Sequence, residues 1–541
     1  MFDSQEHEAL LAAVRARHDD DEPRLEYARW LEESGRADAR DRAELIRVQL
    51  ALASPQHPDS TALEARELEL LRAHAARWLP EHPALRRVRF RRGFIEYAHL
   101  HLRHYLHHRR QLRRLAPVRA LSLTGWNRCD ASLVERVAAC EELADIESLA
   151  IHHQGPHKSP RDEVAILLDS PHLSSVVELS LPLMEIARET RLRIERCALL
   201  RRVRRLRLTG LDTLMRDTGD WLEDSAEPLL GWNELRGLDL TGGFGTRPEL
   251  LRKMMRAPFW DRLRDLAVDL PLFEPLEITR ELAERLPADL RALTLNGDAG
   301  AVVGGRYEIA RELPAAAGAR ALESLTLRRI PLDRRALEAC LRSTTLAHLT
   351  LESCKVDAQA ALALARAPLA LRTLELRRDG FFDDRAATVL FASDVVRSLT
   401  SLRIDDTKLG AAGFAAIAAS SMTTLRWIDT TVAGASADAF ARFVAAPAAA
   451  SLVWIDLEHH GDAPALSRTL ASRLAALPFL RGFIMRRSEL DAEELARRLP
   501  AVAWPIVLVT DWNTVFDDYA DHRPSRWPPT DRRMALADRW A

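Results

Sequence analysis

The chain has 541 residues, of which 47% are hydrophobic and 29% are charged. This length exceeds what one compact core accommodates, so several domains or a repeat array are expected. The 77 Lys+Arg and 79 Asp+Glu residues nearly cancel, which argues against a broad basic surface for nucleic acid.

Compartment and origin can be inferred from the same composition. The five cysteines are scattered without a CxxC pair, so neither a zinc site nor a disulfide framework is indicated. The N-terminus lacks a basic region followed by an apolar stretch, and no apolar run reaches the length of a membrane span. Arg and Ala are abundant while Lys occurs only four times, which is typical of a GC-rich bacterial genome. These features predict a soluble, cytoplasmic bacterial protein.

Residues 1–82 show helical periodicity and no strand pattern, with helical stretches beginning at Glu8, Pro23, Arg42 and Leu63. Several short elements are distinctive: Leu10, Leu11, 19–21, Pro23, Arg24, 27–33, 43–49, Arg66, Glu67, Leu70, Leu71, Trp78, Leu79 and 91–94. In these elements the segment resembles the repeat-companion module found at the N-termini of repeat proteins in myxobacteria and planctomycetes. That family has no established activity, so the resemblance implies an architecture and not a reaction. We predict a helical module over 1–82 and a strand-and-helix cap over 83–117.

Within the predicted cap, five histidines occur close together, at His99, His101, His104, His107 and His108. Histidines two apart share a strand face and histidines three apart share a helix face, so a metal site is conceivable. However, neither a carboxylate nor a cysteine completes the set, and arginines crowd it. We therefore interpret it as a solvated polar face and predict no metal and no cofactor.

A six-residue pattern, apolar-x-x-apolar-x-apolar, recurs fourteen times at intervals of 24 to 32 residues. The copies begin at Val118, Ile146, Val176, Val203, Leu235, Leu263, Leu290, Leu322, Leu346, Leu371, Leu399, Leu425, Leu452 and Leu480. The alternation predicts a short strand in each copy. Amphipathic helical stretches follow several copies, and Asp333, Asp357, Ser436 and Asp491 stand where helix N-caps are expected.

Each repeat thus pairs a strand with a helix, which predicts an α/β solenoid with parallel strands. Helices need roughly 10 Å of spacing and strands only about 4.8 Å, so the stack should bend into a horseshoe with its helices outside. The repeats resemble leucine-rich repeats of the ribonuclease-inhibitor type, over roughly 118–500. Cys354 and Thr407 fit that family's polar turn position, while Leu211, Gly243, Pro271 and Ala433 depart from it. We therefore expect irregular repeats over 211–260 and 296–320.

A glycine-rich stretch follows the copy at Leu290, from Asn296 to Gly300. It lacks the Gly-Lys-Ser/Thr ending of a phosphate loop and the dinucleotide-binding spacing, so we interpret it as a loop insertion. No hydrolase, metalloprotease or kinase motif is present. The sequence therefore offers no positive case for an enzyme.

One face of the C-terminal strands is predicted to carry the binding site. In each copy, the residues before, between and after the last two apolar positions should face the concave side. In the last copies these positions carry two tryptophans with a charged surround, which is the composition of a binding hot spot. The predicted partner-binding residues are Arg403, Asp405, Trp427, Asp429, Trp454, Asp456, Glu458 and Arg486. The excess of carboxylates predicts a partner with a basic contact surface. The alternative is that Trp427 and Trp454 cover each other or lie under the C-terminal tail.

Residues 501–541 are predicted to form a capping strand, within 504–512, and a tail. Three prolines forbid a continuous helix in the tail, and Trp527 and Trp540 give it more apolar area than a linker needs. Whether it is a lid on the last repeat or a docking peptide is left open.

Three functions are compatible with this organisation. The first is a non-catalytic scaffold that binds a protein partner on the concave face, with no nucleic acid or membrane involved. The second is an inhibitor, regulator or presented substrate of one enzyme, which is the mode that the ribonuclease-inhibitor resemblance implies. The third is a metal-dependent enzyme whose site the sequence hides.

Overall fold

The structure is a computed structural model that describes the chain in segments. The described residues are 5–53, 59–78, 88–126, 129–152, 163–182, 197–209, 231–241, 248–270, 275–297, 316, 321–433, 437–460, 477–486 and 506–509. They fall into two compact units, one with the described residues up to Arg262 and one that begins at Leu263. The two units are described separately.

The first unit opens with four helices: α1 (Gln5–Ala16), α2 (Glu22–Glu33), α3 (Ala37–Ala53) and α4 (Ser60–Trp78). These four helices lie within the predicted segment 1–82, and a separate all-α module there stays a prediction. Apolar side chains at helical spacing, including Leu11, Leu31 and Ile46, form a common core. Phe94, which follows the helices in the chain, packs into the same core.

Phe94 belongs to a β-hairpin made of β1 (Val88–Arg91) and β2 (Phe94–His101). The connecting residues Arg92 and Gly93 have φ values of 46° and 84°, as a tight two-residue turn requires. Any Cβ on Gly93 would overlap Ile46 of α3, so only glycine fits between this turn and the helix. Its N–H donates to Gln49 Oε1, which fixes the hairpin on the helices.

A buried ion pair joins the same two parts of the unit. Arg24 of α2 lies 2.7 Å from Glu96 of β2, and both side chains are buried. Such a pair is favourable only when both partners are present, because either charge alone would be buried without compensation. The predicted boundary between residues 82 and 83 therefore crosses a shared core: the helices and the hairpin are held together by Ile46, Phe94 and the Arg24–Glu96 pair.

The rest of the first unit consists of parallel strands and short helices. Strands β2 to β7 pair in parallel, each with the next along the chain. The strands after β2 are β3 (Ala120–Thr124), β4 (Ser148–Ile151), β5 (Glu178–Pro182), β6 (Arg205–Thr209) and β7 (Gly237–Leu240). The described helices are α5 (Leu102–Leu115), α6 (Ala131–Ala138), α7 (Glu163–Leu168) and α8 (Pro248–Arg256). The predicted strand and helix of the 83–117 cap correspond to β2 and α5.

The second unit repeats the arrangement, with β8 to β17 pairing in parallel in chain order. Its strands are β8 (Asp265–Asp269), β9 (Ala292–Asn296), β10 (Ser324–Arg328), β11 (His348–Glu352), β12 (Thr373–Arg377), β13 (Ser401–Asp405), β14 (Trp427–Ala433), β15 (Trp454–His460), β16 (Gly482–Arg486) and β17 (Ile506–Val509). Its described helices are α9 (Pro275–Arg285), α10 (Arg334–Cys340), α11 (Ala358–Ala365), α12 (Asp384–Phe391), α13 (Ala411–Ala418) and α14 (Ala437–Val444).

All fourteen copies of the sequence pattern are strands, and each strand begins two residues after the first apolar residue of its copy. Their alternate side chains, such as Leu349 and Leu351, are fully buried against the helical side. The predicted caps at Asp333 and Asp357 are also confirmed, since in the first helical turn the Asp333 carboxylate accepts one N–H and that of Asp357 accepts two. The architecture is therefore mixed α/β with a mostly parallel sheet, consistent with a solenoid.

Other sequence predictions fall outside the described residues. These are the caps at Ser436 and Asp491, most of the irregular stretches, the glycine-rich residues after Gly297, and the tail with Trp527 and Trp540. The predicted final strand within 504–512 is present as β17. No described helix is both long and apolar enough to cross a membrane.

Candidate functional site

The predicted binding residues lie in register on the strands of the second unit. Trp427 of β14 pairs with Trp454 of β15, and Asp429 pairs with Asp456 two residues further on. Arg403 of β13 is the register partner of Asp429. Equivalent positions of neighbouring repeats therefore lie side by side, in columns that run across the strands. We call the surface formed by these side chains the strand face.

The expected exposure of the two tryptophans is wrong. Trp427 is only 4% exposed and Trp454 only 2%, and their ring centroids lie 6.2 Å apart. Each ring therefore covers part of the other, which is the alternative that the sequence left open. Alternation correctly placed both side chains away from the leucine core, but that face of the sheet is itself buried here. Side chains in this position stabilise the fold and are not available to a partner.

The carboxylates of this site are less accessible than expected, and its negative field stays a prediction. Asp429 and Asp456 have no exposed surface, and Arg403 Nε lies 3.0 Å from Asp429 Oδ2. Arg403 Nη2 is also 3.3 Å from Asp405 Oδ2 at the partly exposed end of β13. Arg403 therefore balances one of these two negative charges, and Arg377 Nε lies 3.9 Å from Asp405 Oδ2 on the other side.

The remaining two predicted site residues are placed only by their backbone. Glu458 of β15 and Arg486 of β16 are register partners, as the repeat spacing predicts. Their side chains lie outside the described part of the structure, so their role in binding stays a prediction.

The ion pairs continue along the strand face toward β10. Glu352 Oε2 of β11 forms ion pairs with Arg328 Nε of β10 at 3.3 Å and with Arg377 Nη1 of β12 at 3.5 Å. Glu375 of β12 is the register partner of Arg403. Its side chain is almost completely buried. Burial raises the pKa of the Glu375 carboxyl to about 7, against the opposing effect of Arg403 and Arg377. A buried acid of this kind is held inside the face and has no access to a substrate.

A second surface emerges where the strands end. The residue that follows each of β10 to β13 adopts positive φ although none is glycine: Arg329, Ser353, Arg378 and Asp406 have φ values of 53°, 56°, 49° and 50°. The first three donate their N–H to the last carbonyl of the next strand, at 2.7, 2.9 and 2.8 Å. The four loops therefore leave the sheet in the same direction. We call this surface, residues 329–332, 353–356, 378–382 and 406–409, the loop edge.

The third of these loops is anchored by a buried carboxylate. Asp379 Oδ2 accepts the N–H groups of Cys354 and Val356 at 3.2 and 2.9 Å, while Oδ1 accepts that of Phe381 at 3.1 Å. Phe382 fills the core beneath the loop and is fully buried. The loop backbone is therefore fixed from two sides.

Phe381, next to this anchor, points outward. It is 54% exposed and is the one large hydrophobic side chain of the described residues that is exposed. The Nζ of Lys355, on the preceding loop, lies 5.7 Å from the centroid of its ring. Lys408, on the following loop, is exposed beside Gly380. Two of the four lysines of the chain thus lie on the loops that precede and follow the loop of Phe381.

The sequence pattern does not indicate Phe381, because period-two alternation predicts exposure only for strand residues. The available indication was the pair Phe381–Phe382 in a short loop after an aspartate and a glycine. A loop of this length can bury one of two adjacent aromatic rings more easily than both. Neither propensity nor periodicity indicates which of the two is exposed.

The histidines of the first unit have structural partners. His101 Nδ1 accepts the N–H of Arg103 and caps α5, and His99 Nδ1 lies 2.7 Å from Ser122 Oγ. Among the described residues, no group of three or more His, Cys, Asp or Glu side chains is arranged to hold a metal ion. Burial raises the pKa of the Cys354 thiol to about 12 and also raises that of Cys340, so these thiols stay protonated and unreactive.

Comparisons with known proteins add little to this picture. No protein-family model matches the chain, and no curated protein matches it either. A crystal structure of the Rad7 and Elc1 complex in yeast is similar over 81% of this chain and 90% of that chain, at 15% identity and a TM-score of 0.43. The fold and the site described above follow from contacts within this chain.

Proposed function

We propose that this chain is a non-catalytic scaffold that binds a protein partner through its repeats. The observation that supports the proposal is the loop edge, where four consecutive repeats present the same backbone position in the same conformation. Successive loops are spaced by about one strand separation, roughly 4.8 Å, so their side chains form one continuous surface. A rigid, repeated surface of this kind suits recognition of another protein.

The finer architecture belongs to the same proposal. The in-register strands with one helix per repeat would curve into a horseshoe, because helices need about twice the spacing of strands. A bacterial origin, a cytoplasmic location and a relation of residues 1–82 to the repeat-companion module are also part of it. The proposal does not include Trp427 and Trp454 as binding residues, because both are buried.

The proposal of a non-catalytic role is supported by the state of the titratable groups on the strand face. Arg403, Asp405 and Asp429 are engaged with one another, and Glu375 is shielded from solvent. Acid–base chemistry needs a group that can reach a substrate. Asp405 and Asp429 instead lie beside Arg403, and Glu375 and Asp456 are buried.

A capture experiment tests the scaffold proposal. The full chain is immobilised and exposed to native lysate, and retained protein is identified by mass spectrometry and re-purified. We expect one protein to co-elute with the full chain as a stoichiometric complex in gel filtration. A variant with Arg329→Glu and Arg378→Glu, two exposed residues of the loop edge, should retain it less. If the chain elutes alone under all conditions, the scaffold proposal is wrong.

A further inference from the structure

A group of arginines lies at the edge of the first unit where its strands begin. Arg201 and Arg202 lie at the end of a short 3-10 helix, and Arg204 comes directly before β6. Arg236 comes directly before β7, and Arg262 ends the next such 3-10 helix. Four of the five side chains are exposed and that of Arg236 is half-buried. We call these five residues the arginine edge.

Two of these guanidinium groups converge on one backbone turn. Arg262 Nη1 donates to the carbonyl oxygen of Asn233 at 3.0 Å, and Arg236 Nη1 lies 3.4 Å from the same oxygen. Arg236 Nη1 also donates to the carbonyl oxygen of Leu235 at 3.0 Å. The backbone N–H of Arg236 donates to the carbonyl of Arg204 at 2.7 Å, which places the two residues side by side. Neutral carbonyl groups thus hold like charges together without cancelling them.

The carboxylates of this region do not pair with the arginine edge. Glu178 and Asp239 pair instead with Arg205 and Arg207 of β6. Within the described residues, no member of the arginine edge forms an ion pair with a carboxylate. Exposed carboxylates in or beside the same turns are Asp169, Glu234 and Asp261. Five positive charges therefore stand against three negative ones, which leaves a net charge of +2 (5 − 3).

The turns that carry Asn233 and Arg262 are fixed by buried aromatic side chains. Trp232 stacks on Phe259 with ring centroids 5.9 Å apart, and Trp260 is buried beside them in the chain. Because the backbone is already held in place, less freedom is lost when a ligand binds. The arginine edge therefore rests on a rigid support.

The unused donors of the two converging arginines indicate what the ligand must carry. The contacts of Arg236 and Arg262 with carbonyl oxygens engage Nη1 alone. In the described part of the chain, their Nε–H and Nη2–H groups have no acceptor. These groups form the planar fork that binds both oxygens of a carboxylate.

We infer that the arginine edge is a docking site for an acidic segment of a partner protein. Carboxylates of that segment bind the forks of Arg236 and Arg262, and the charges of Arg201, Arg202 and Arg204 attract its other acidic residues. This inference rests on the proposed scaffold function. It adds a contact surface in the first unit and names the chemistry of its ligand.

An acidic protein segment fits this surface better than a nucleic acid does. Proteins that bind single strands stack the bases on aromatic rings. The aromatic rings of these turns, Trp232, Phe259 and Trp260, are buried. Binding to a duplex through phosphates alone needs a larger basic excess than a local charge of +2 on a chain of net charge −2. A few carboxylates in a short segment match the available forks.

The test uses a fluorescent peptide of alternating glutamate and glycine as the probe, with the glutamine–glycine peptide as its control. Fluorescence anisotropy with the full chain should show binding of the glutamate peptide alone, and raised salt should weaken it. Arg236→Glu with Arg262→Glu should weaken binding at least about tenfold, because two attractions become repulsions. Arg236→Lys with Arg262→Lys keeps the charge but removes the forks, so we expect a loss of about threefold.

The matched control is Arg335→Glu with Arg385→Glu, on α10 and α12, since both arginines are exposed and the change in net charge is the same. It should change affinity by less than about twofold. Circular dichroism checks the fold of each variant. If the variant at Arg236 and Arg262 unfolds, Arg201→Glu with Arg202→Glu decides the question, and it should weaken binding about fivefold.

Three results would overturn the inference. The first is an equal loss in the arginine-edge and control variants, which would mean attraction by net charge alone. The second is equal binding of the glutamine peptide. The third is tighter binding of a DNA oligonucleotide of the same charge, which would favour a nucleic acid.

Failure of this inference is distinguishable from failure of the scaffold proposal. If a lysate protein is captured but the glutamate peptide does not bind, only this inference fails. If no protein is captured but the peptide binds through the arginine edge, only the scaffold proposal fails.

Discussion

Two aromatic sites of the second unit have opposite environments. Trp427 and Trp454 lie on adjacent strands, 6.2 Å apart, and are almost fully buried. Phe381 lies on a loop and is 54% exposed. The sequence pattern predicts exposed aromatic rings on the strands and makes no prediction for the loop, yet the strand rings are buried and the loop ring is exposed.

This difference shows what period-two alternation determines. Alternation fixes which face of a sheet a side chain occupies, and it does so correctly for Trp427 and Trp454. Exposure depends in addition on what lies over that face, which no local pattern contains. Loop residues such as Phe381 have no such periodicity, and their exposure is set by tertiary contacts such as those of Asp379.

The largest expected effect is a loss of stability when the two buried tryptophans are changed. A double change, Trp427→Ala with Trp454→Ala, should lower the free energy of unfolding by more than about 4 kcal/mol, because it opens a large cavity. Denaturant unfolding followed by circular dichroism measures it. If the double variant unfolds at the same denaturant concentration as the unaltered chain, the rings are not part of the core. The strand face would then again be a candidate binding site.

A smaller effect, dependent on pH, should come from Glu375 on the same face. Burial raises its pKa to about 7 from 4.5, so the folded chain holds a proton that the unfolded chain has released between these values. Stability attributable to this group is therefore present below about pH 4.5 and is lost as the pH rises through 7. Glu375→Gln cannot ionise and should escape this loss.

The measurement is the free energy of unfolding of Glu375→Gln and of the unaltered chain at pH 5 and pH 8. The variant should gain roughly 2 kcal/mol relative to the unaltered chain at the higher pH. The matched control is Glu323→Gln, since Glu323 is exposed and its change should show little such gain. A variant that loses relative stability at pH 8 would show that Glu375 is ionised and stabilised by Arg403.

A still smaller loss of stability should follow from removing the cap of helix α13. Helix α13 starts after Gly410, which has no side chain to act as a cap. Asp384 of the preceding repeat accepts the N–H groups of Gly410 and Gly413 instead, at 2.6 and 2.9 Å. Asp384→Ala should therefore cost about 1 kcal/mol of stability.

Restoring a local cap separates this explanation from a general packing defect. In the Asp384→Ala chain, the carboxylate that a Cβ on Gly410 would meet is gone. Gly410→Ser should then recover most of the lost stability, as judged by the denaturation midpoint. No recovery would mean that Asp384 acts through contacts other than the cap.

Much of the fold could be predicted from the sequence because it depends on local, repeated patterns. The strands at Leu346 and Leu371, for example, follow from apolar spacing alone, and the cap at Asp357 follows from its side chain. The shared core of the N-terminal helices and the hairpin could not be predicted in this way. It depends on Arg24 meeting Glu96, which is 72 positions away in the chain.

The candidate site was harder to predict for the same physical reason. The columns that contain Arg403 and Asp429 follow from the repeat register, but their mutual neutralisation depends on rotamers and burial. Phe381 carries no motif at all. Its importance comes from a rigid environment built by residues of three different repeats.

The most direct test of the account compares two neighbours, Phe381→Ala and Phe382→Ala, in one denaturation experiment. Phe382→Ala should lose about 3 to 5 kcal/mol, because that ring is fully buried. Phe381→Ala should unfold within about 0.5 kcal/mol of the unaltered chain, as an exposed residue does. If Phe381→Ala loses as much stability as Phe382→Ala, its ring belongs to the core, and the loop edge is not the binding surface.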